Sequence, residues 1–166
     1  VVSVLLFDED DLMVVEESAA IRAWTFADFW DACVHGVRDF LERDAICCAN
    51  FASTFGLSDA LHAMAAATDD GNVFVFDPGP ISTVREDRID ALLTALEHLA
   101  SSFHVVLSIN ADEARRFAES AEDDAEIEFD PDDLSPDSLD VVRQHAGIDG
   151  VVAHQKRAAV AATPEG

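Results

Sequence analysis

Lysine is almost missing from this chain. Of ten cationic side chains in 166 residues only Lys156 is a lysine, against 34 Asp and Glu and a formal charge of −24. Nucleic-acid binding needs a cationic footprint that neutralises phosphates, and a chain of this balance cannot supply one at large scale. An anionic membrane surface is disfavoured for the same reason. No run reaches the ~18 apolar residues of a membrane span, and no basic segment precedes an apolar one in the manner of a signal peptide. These absences predict a cytoplasmic protein with neither nucleic acid nor membrane as partner.

Other absences are chemical. The three cysteines, Cys33, Cys47 and Cys48, form an odd count with no spaced Cys-x-x-Cys pairs, which argues against a disulfide framework or a zinc site. Cys47 and Cys48 sit in an apolar run and read as small core residues. None of the six histidines stands in His-Glu-x-x-His or a similar ligand spacing, so none is assigned to a metal. Gly-x-Ser-x-Gly, Walker and Gly-x-Gly-x-x-Gly patterns are missing, which leaves hydrolase and dinucleotide-binding readings without direct support.

What is present is an apolar fraction of 49%, enough for a real core. A large carboxylate excess on such a fraction destabilises the compact state by self-repulsion, and salt relieves it. The composition therefore reads as that of a halophile-like acidic protein adapted to a high-salt cytoplasm. The chain opens on Val1 and enters an apolar run at once, which reads as an excised or truncated segment.

Apolar strands alternating with amphipathic helices organise the rest. Val1 to Phe7 and Leu12 to Val15, with a turn at Asp8 to Asp11, predict an N-terminal β-arm within residues 1–20. The exposed apolar residues and open edge of such an arm suit pairing with a second copy of the chain. Residues 21–166 read as one α/β core segment of the same single domain. Thr25 to Asp28 resembles a capping box opening a helix to about Leu41, with Phe26, Phe29, Trp30, Cys33, Val34, Val37 and Leu41 as one buried stripe. Ala45 to Ala49 suits a strand covered on both faces, and Val73 to Phe76 and His104 to Ile109 read as the next two strands of a parallel sheet. Ser58 to Ala67, a helix capped by Thr83 and Glu86, and a helix from Asn110 through Ala121 lie between and after them. Glu119 to Asp140 holds eleven carboxylates and no cation, a solvated excursion that turns helical from Ser138. Gly150 to His154 and Ala158 to Ala162 read as two further strands. The sum is a three-layer Rossmann-like sheet, mostly parallel and flanked by helices, with a small β-arm.

Ligands of open parallel sheets sit beyond the carboxyl ends of the strands. Three polar stretches qualify. Asn110-Ala111-Asp112-Glu113 is a helix cap, and a helix start at a strand end is also an anion site where a carboxylate can hold hydrated Mg²⁺. In Asp77-Pro78-Gly79-Pro80, two prolines fix the backbone while Gly79 permits a positive φ or a close ligand. Asn50 either bonds a polar substrate or simply ends a strand.

This order of elements resembles the ribokinase-like sugar kinases of the PfkB family, with the chain as a central fragment. The resemblance rests on Val2-Ser3-Val4-Leu5-Leu6-Phe7, Ala45 to Asn50, Val75 to Pro80, and the strand before Asn110-Ala111-Asp112-Glu113. It implies ATP-dependent phosphorylation of a sugar hydroxyl by a longer chain, with ATP and Mg²⁺ as cofactors and a sugar and a nucleotide as small-molecule partners. It further implies an Asn-x-x-Glu motif in which Glu113 serves the metal and Asn110 the nucleotide phosphates, Asp77 and Gly79 bordering the cleft, and Asn50 facing the sugar. The family's Gly-Gly and Gly-Ala-Gly-Asp motifs are not in these residues, so no catalytic base is assigned. In place of a Thr-x-Gly turn stands Val152-Ala153-His154-Gln155-Lys156-Arg157, where Lys156 and Arg157 carry charge suited to nucleotide phosphates. The alternatives are a non-catalytic α/β binding or interaction domain and an ADP-dependent sugar kinase. A Gly-Ala-Gly-Asp stretch beyond residue 166 separates kinase from binding module.

Overall fold

A computed structural model describes residues 2–6, 11–15, 19–33, 36–68, 71–121, 134–155 and 157–164. Lys156, Val34 and the acidic stretch 122–133 lie outside the described residues. The first two strands, β1 (Val2–Leu6) and β2 (Asp11–Val15), pair antiparallel from Val2 opposite Val15 to Leu6 opposite Asp11. They form a two-stranded sheet of their own.

The main sheet has five strands in sequential order: β3 (Ala45–Ala49), β4 (Val73–Asp77), β5 (His104–Asn110), β6 (Gly150–His154) and β7 (Ala159–Ala162). The first four are parallel and β7 returns antiparallel to β6. Helix α4 (Leu57–Ala67) connects β3 to β4, α5 (Glu86–Ala100) connects β4 to β5, and α6 (Ala111–Ala121) with α7 (Pro136–His145) leads to β6. The architecture is α/β, with a mostly parallel sheet flanked by helices.

Each crossover advances one strand in the same direction, and right-handed crossovers then place every connecting helix on one face of the sheet. Burial follows. Ile46, Phe74, Phe76, Val105, Leu107, Ile109, Val151 and Ala153 are buried, whereas their neighbours of the other parity, such as Cys47, Val75, Val106 and Val152, are exposed or half-buried. Among the described residues the strands are therefore covered on one face, where the apolar run of Ala45 to Ala49 suggested two. Cys47 is exposed for this reason, and Cys48, on the covered face of the edge strand β3, is half-buried, so neither is the fully buried core residue its apolar run implied. Opposite the sheet, α5 contributes Ile89, Leu92, Leu93, Leu96 and Leu99 to the core, as their spacing predicts.

Three local expectations change. After the short helix α1 (Ala19–Arg22), the capping box at Thr25 and Asp28 forms, but its helix α2 (Phe26–Ala32) stops at Cys33 and a separate helix α3 (Val37–Leu41) follows Gly36 at φ 87°. The positive φ at Gly36 is outside helical geometry and divides the stripe. Val37 and Leu41 are buried, while Trp30 is 51% exposed. Thr83 caps nothing, because Ile81–Thr83 forms a 3-10 turn that buries Ile81 and moves the N-cap of α5 to Arg85. Helix α7 begins before Ser138. Ser135 caps it, Pro136 occupies the first turn, and the Ser138 side chain closes the box.

Candidate functional site

Parallel pairing fixes the direction of β3, β4, β5 and β6, so Asn50, Asp77, Asn110 and His154 all stand at or just past carboxyl ends on one rim. The rim is knit by main-chain bonds that outlast the strands. Asn50 N–H donates to the Asp77 carbonyl at 3.0 Å, and Ala52 N–H to that of Pro78 at 3.3 Å.

Asn50 has φ 74° and is the one non-glycine residue with positive φ among the described residues. Asparagine tolerates this conformation better than most, but such outliers persist only where the surroundings hold them. Across from it, Gly79 has φ 67°, and a Cβ there would stand 3.6 Å from Asn50 Cα and 3.7 Å from Asn50 Oδ1. The Asp77 carboxylate shapes this turn by accepting the Gly79 N–H at 2.8 Å. The sequence thus brings together Asn50, Asp77 and Gly79 on adjacent strand ends.

The third member is the start of α6, which follows β5 without a loop. Asn110 N–H donates to Glu113 Oε2 at 2.9 Å, and Glu113 N–H donates to Asn110 Oδ1 at 3.0 Å. This reciprocal box settles two of the helix's orphan donors. Glu113 is buried, at 7% exposure, and is the one buried charged side chain among the described residues. Burial pushes its carboxyl above the usual range, opposed by the Asn110 N–H; Asp77 raises it further and His154 lowers it. The Glu113 carboxyl thus feels groups from two other strand ends.

A cleft of about 370 Å³ opens beside this point, lined by Pro80, Ser82, Asn110, Glu113, Arg115 and Arg116 among others. Arg116 reaches Glu86 at 2.6 Å and Arg115 reaches Asp112 at 3.0 Å. Asp112 and Glu119 line the cleft as well, so the two arginines stand among three carboxylates counting Glu113. The sequence reading passed over this pair and gave His154 no role. The arginines follow Glu113 by two and three residues on the same helix, and that spacing was their available signal.

Arg88 was also missed. Its guanidinium lies 4.6 Å from the Phe51 ring centroid and 4.5 Å from that of Phe55. It also donates to the carbonyls of Phe51 at 3.0 Å and Ala52 at 3.3 Å. It clamps the segment after Asn50 to α5 through cation–π contact and donation from two guanidinium nitrogens, which lysine cannot reproduce.

Glu113 and Asp77 offer hard carboxylate oxygens. Among the described residues no group of three or more His, Cys, Asp or Glu side chains gathers to hold a metal. The Asp77 and Glu113 carboxylates each already accept one backbone N–H, from Gly79 and from Asn110, through one of their two oxygens. Among the described residues no helix is long and apolar enough to cross a membrane. Comparison with models of known protein families, with curated proteins and with solved structures finds no match to this chain.

Proposed function

We propose that the chain is the central part of a ribokinase-like sugar kinase, transferring a phosphoryl group from ATP to a sugar hydroxyl in the cytoplasm. The observation that carries this reading is the gathering of Asn50, Asp77, Gly79, Asn110 and Glu113 on one carboxyl rim, with Asn50 and Gly79 both in left-handed conformations. Phosphoryl transfer asks a protein mainly for positioning and for stabilisation of spread negative charge. The rim supplies both kinds of group. Asn110 sets the start of α6, whose first N–H groups have no intrahelical carbonyl partner and whose positive end favours phosphate. Glu113, with Asp77 beside it, is the donor set for Mg²⁺, which when bound neutralises charge on the transferring group. Gly79 leaves room at the cleft border, and the Asn50 side chain offers one acceptor and two donors to sugar hydroxyls.

No general base is assigned. In this reading the Gly-Gly and Gly-Ala-Gly-Asp motifs belong to other parts of a longer protein. A further layer over the open face of the sheet, which would make it three-layered as in that family, and a dimer contact through β1 and β2 belong to the same proposal.

The test is sugar phosphorylation by the full-length protein with ATP or ADP as donor. Turnover with ATP, lowered at least about tenfold by Glu113→Gln and by Asp77→Asn, supports the proposal; a tenfold loss is about 1.4 kcal/mol of transition-state stabilisation. Nucleotide binding without transfer to any sugar contradicts it and favours a binding module. Transfer from ADP alone moves the assignment to the ADP-dependent kinases.

A further inference from the structure

Away from the rim, two histidines meet across the packed helices α4 and α5. His62 Nδ1 and His98 Nδ1 stand 2.8 Å apart, with ring centroids at 5.0 Å and planes at 41°. His98 is exposed and His62 half-buried, so solvent reaches the pair. Their backbones are held. Ser102 Oγ donates to the Ala65 carbonyl at 3.1 Å and ties the two helix ends together. Beneath the pair, Leu61, Ala65, Leu96 and Leu99 are buried.

At 2.8 Å one ring must donate and the other accept, so the two neutral imidazoles are opposite tautomers at Nδ1. Two nitrogens bound to one tetrahedral ion at 2.0–2.1 Å would stand about 3.3 Å apart. Parting the rings by about 0.5 Å, within reach of side-chain rotation, turns the hydrogen bond into a chelate. No net proton is lost: the hydrogen at one Nδ1 is given up to solvent, and that ring takes one at Nε2. Both imidazoles then remain neutral, each with an Nδ1 lone pair on the metal.

We infer that His62 and His98 form a two-histidine site for a late divalent transition-metal ion, Zn²⁺ being the representative, with water filling the other positions. Imidazole selects such ions, whereas the many surface carboxylates of this protein prefer Mg²⁺ or Ca²⁺. Among the described residues no third side chain of His, Cys, Asp or Glu joins the pair, so the site is exchangeable and not a closed structural one. It is independent of the kinase proposal, being built on the helix layer and not on the strand ends.

The experiment is calorimetric titration with Zn²⁺ in excess Mg²⁺, which occupies the carboxylates, at one fixed neutral pH. Parent protein, His62→Gln and His98→Gln are compared, each shown by circular dichroism to melt like the parent without metal. One Zn²⁺ per chain, with affinity in both variants reduced well beyond the about tenfold that loss of an outer-shell partner costs, supports the site. Absence of Zn²⁺ binding above the Mg²⁺ background overturns it. So does binding that either variant leaves unchanged, since a chelate needs both rings.

Discussion

Asn50 and Gly79 face each other across the ends of β3 and β4, both left-handed, at φ 74° and 67°. Only one of them is a residue type that adopts this conformation without cost. Asn50→Gly should therefore leave stability unchanged or raise it by up to about 1 kcal/mol, while removing the side chain proposed to meet substrate. Gly79→Ala should destabilise by about 1–2 kcal/mol through backbone strain, because the 3.6 Å to Asn50 Cα is ordinary contact. Denaturant unfolding of the two variants gives both values. A stabilised but inactive Asn50→Gly protein separates a functional strain from a structural one.

Glu113 carries two roles that substitution can part. Gln at this position keeps an oxygen for the Asn110 N–H, whereas Ala abandons the cap. Glu113→Ala and Asn110→Ala should each cost about 1 kcal/mol of stability. Glu113→Gln should stay closer to the parent in unfolding experiments and yet lose Mg²⁺-dependent nucleotide binding.

Acid should weaken the helix starts and turns that rely on ionised aspartates. Thr25, by its hydroxyl and its backbone N–H, holds the Asp28 carboxyl below its usual range. Arg143, then Gln144, does the same for Asp140. A carboxyl depressed in the folded state stabilises the fold above its unfolded value, and that contribution disappears as pH falls through the depressed folded value. Stability should thus decline on acidification below the ordinary carboxylate range, more gently in Asp28→Asn and Asp140→Asn. Asp28 is exposed and Asp140 half-exposed, so each effect is small. A parent and variants with parallel acid limbs would contradict this assignment.

Adjacent cysteines should differ in reactivity. Burial pushes the Cys48 thiol up to about 11, so little of it is thiolate at neutral pH. Cys47, its neighbour on the opposite face of β3, is exposed. Brief alkylation of the folded protein followed by peptide fragmentation should find Cys47 modified well before Cys48. Equal labelling would mean that β3 is not held with one face covered.

Much of this molecule was legible in its pattern, and the exceptions have physical causes. Ile89, Leu92, Leu96 and Leu99 recur at helical intervals and are buried. Polar residues after three apolar runs lie on one rim because parallel strands leave no other arrangement. The covering of β3 was misread, since an all-apolar run is equally compatible with one buried face and with two. The long helix expected through Leu41 already ends at Cys33, whose backbone is extended, and resumes only after Gly36. Arg88 and the His62–His98 pair join residues more than thirty positions apart. Such partnerships leave no local trace for a single sequence to display.

The central claim is that the rim of β3, β4 and β5 handles nucleotide phosphates with Mg²⁺. The most direct measurement is the set of backbone amide shifts that Mg²⁺ and ATP together induce in the magnetic-resonance spectrum of the isotopically labelled protein. The account predicts the largest shifts at Asn50, at Asp77 and Gly79, and from Asn110 to Glu113, with those at α6 lost in Glu113→Gln. An unchanged spectrum, or shifts confined to the groove of Phe26, Trp30 and Ala63 between α2 and α4, would contradict it.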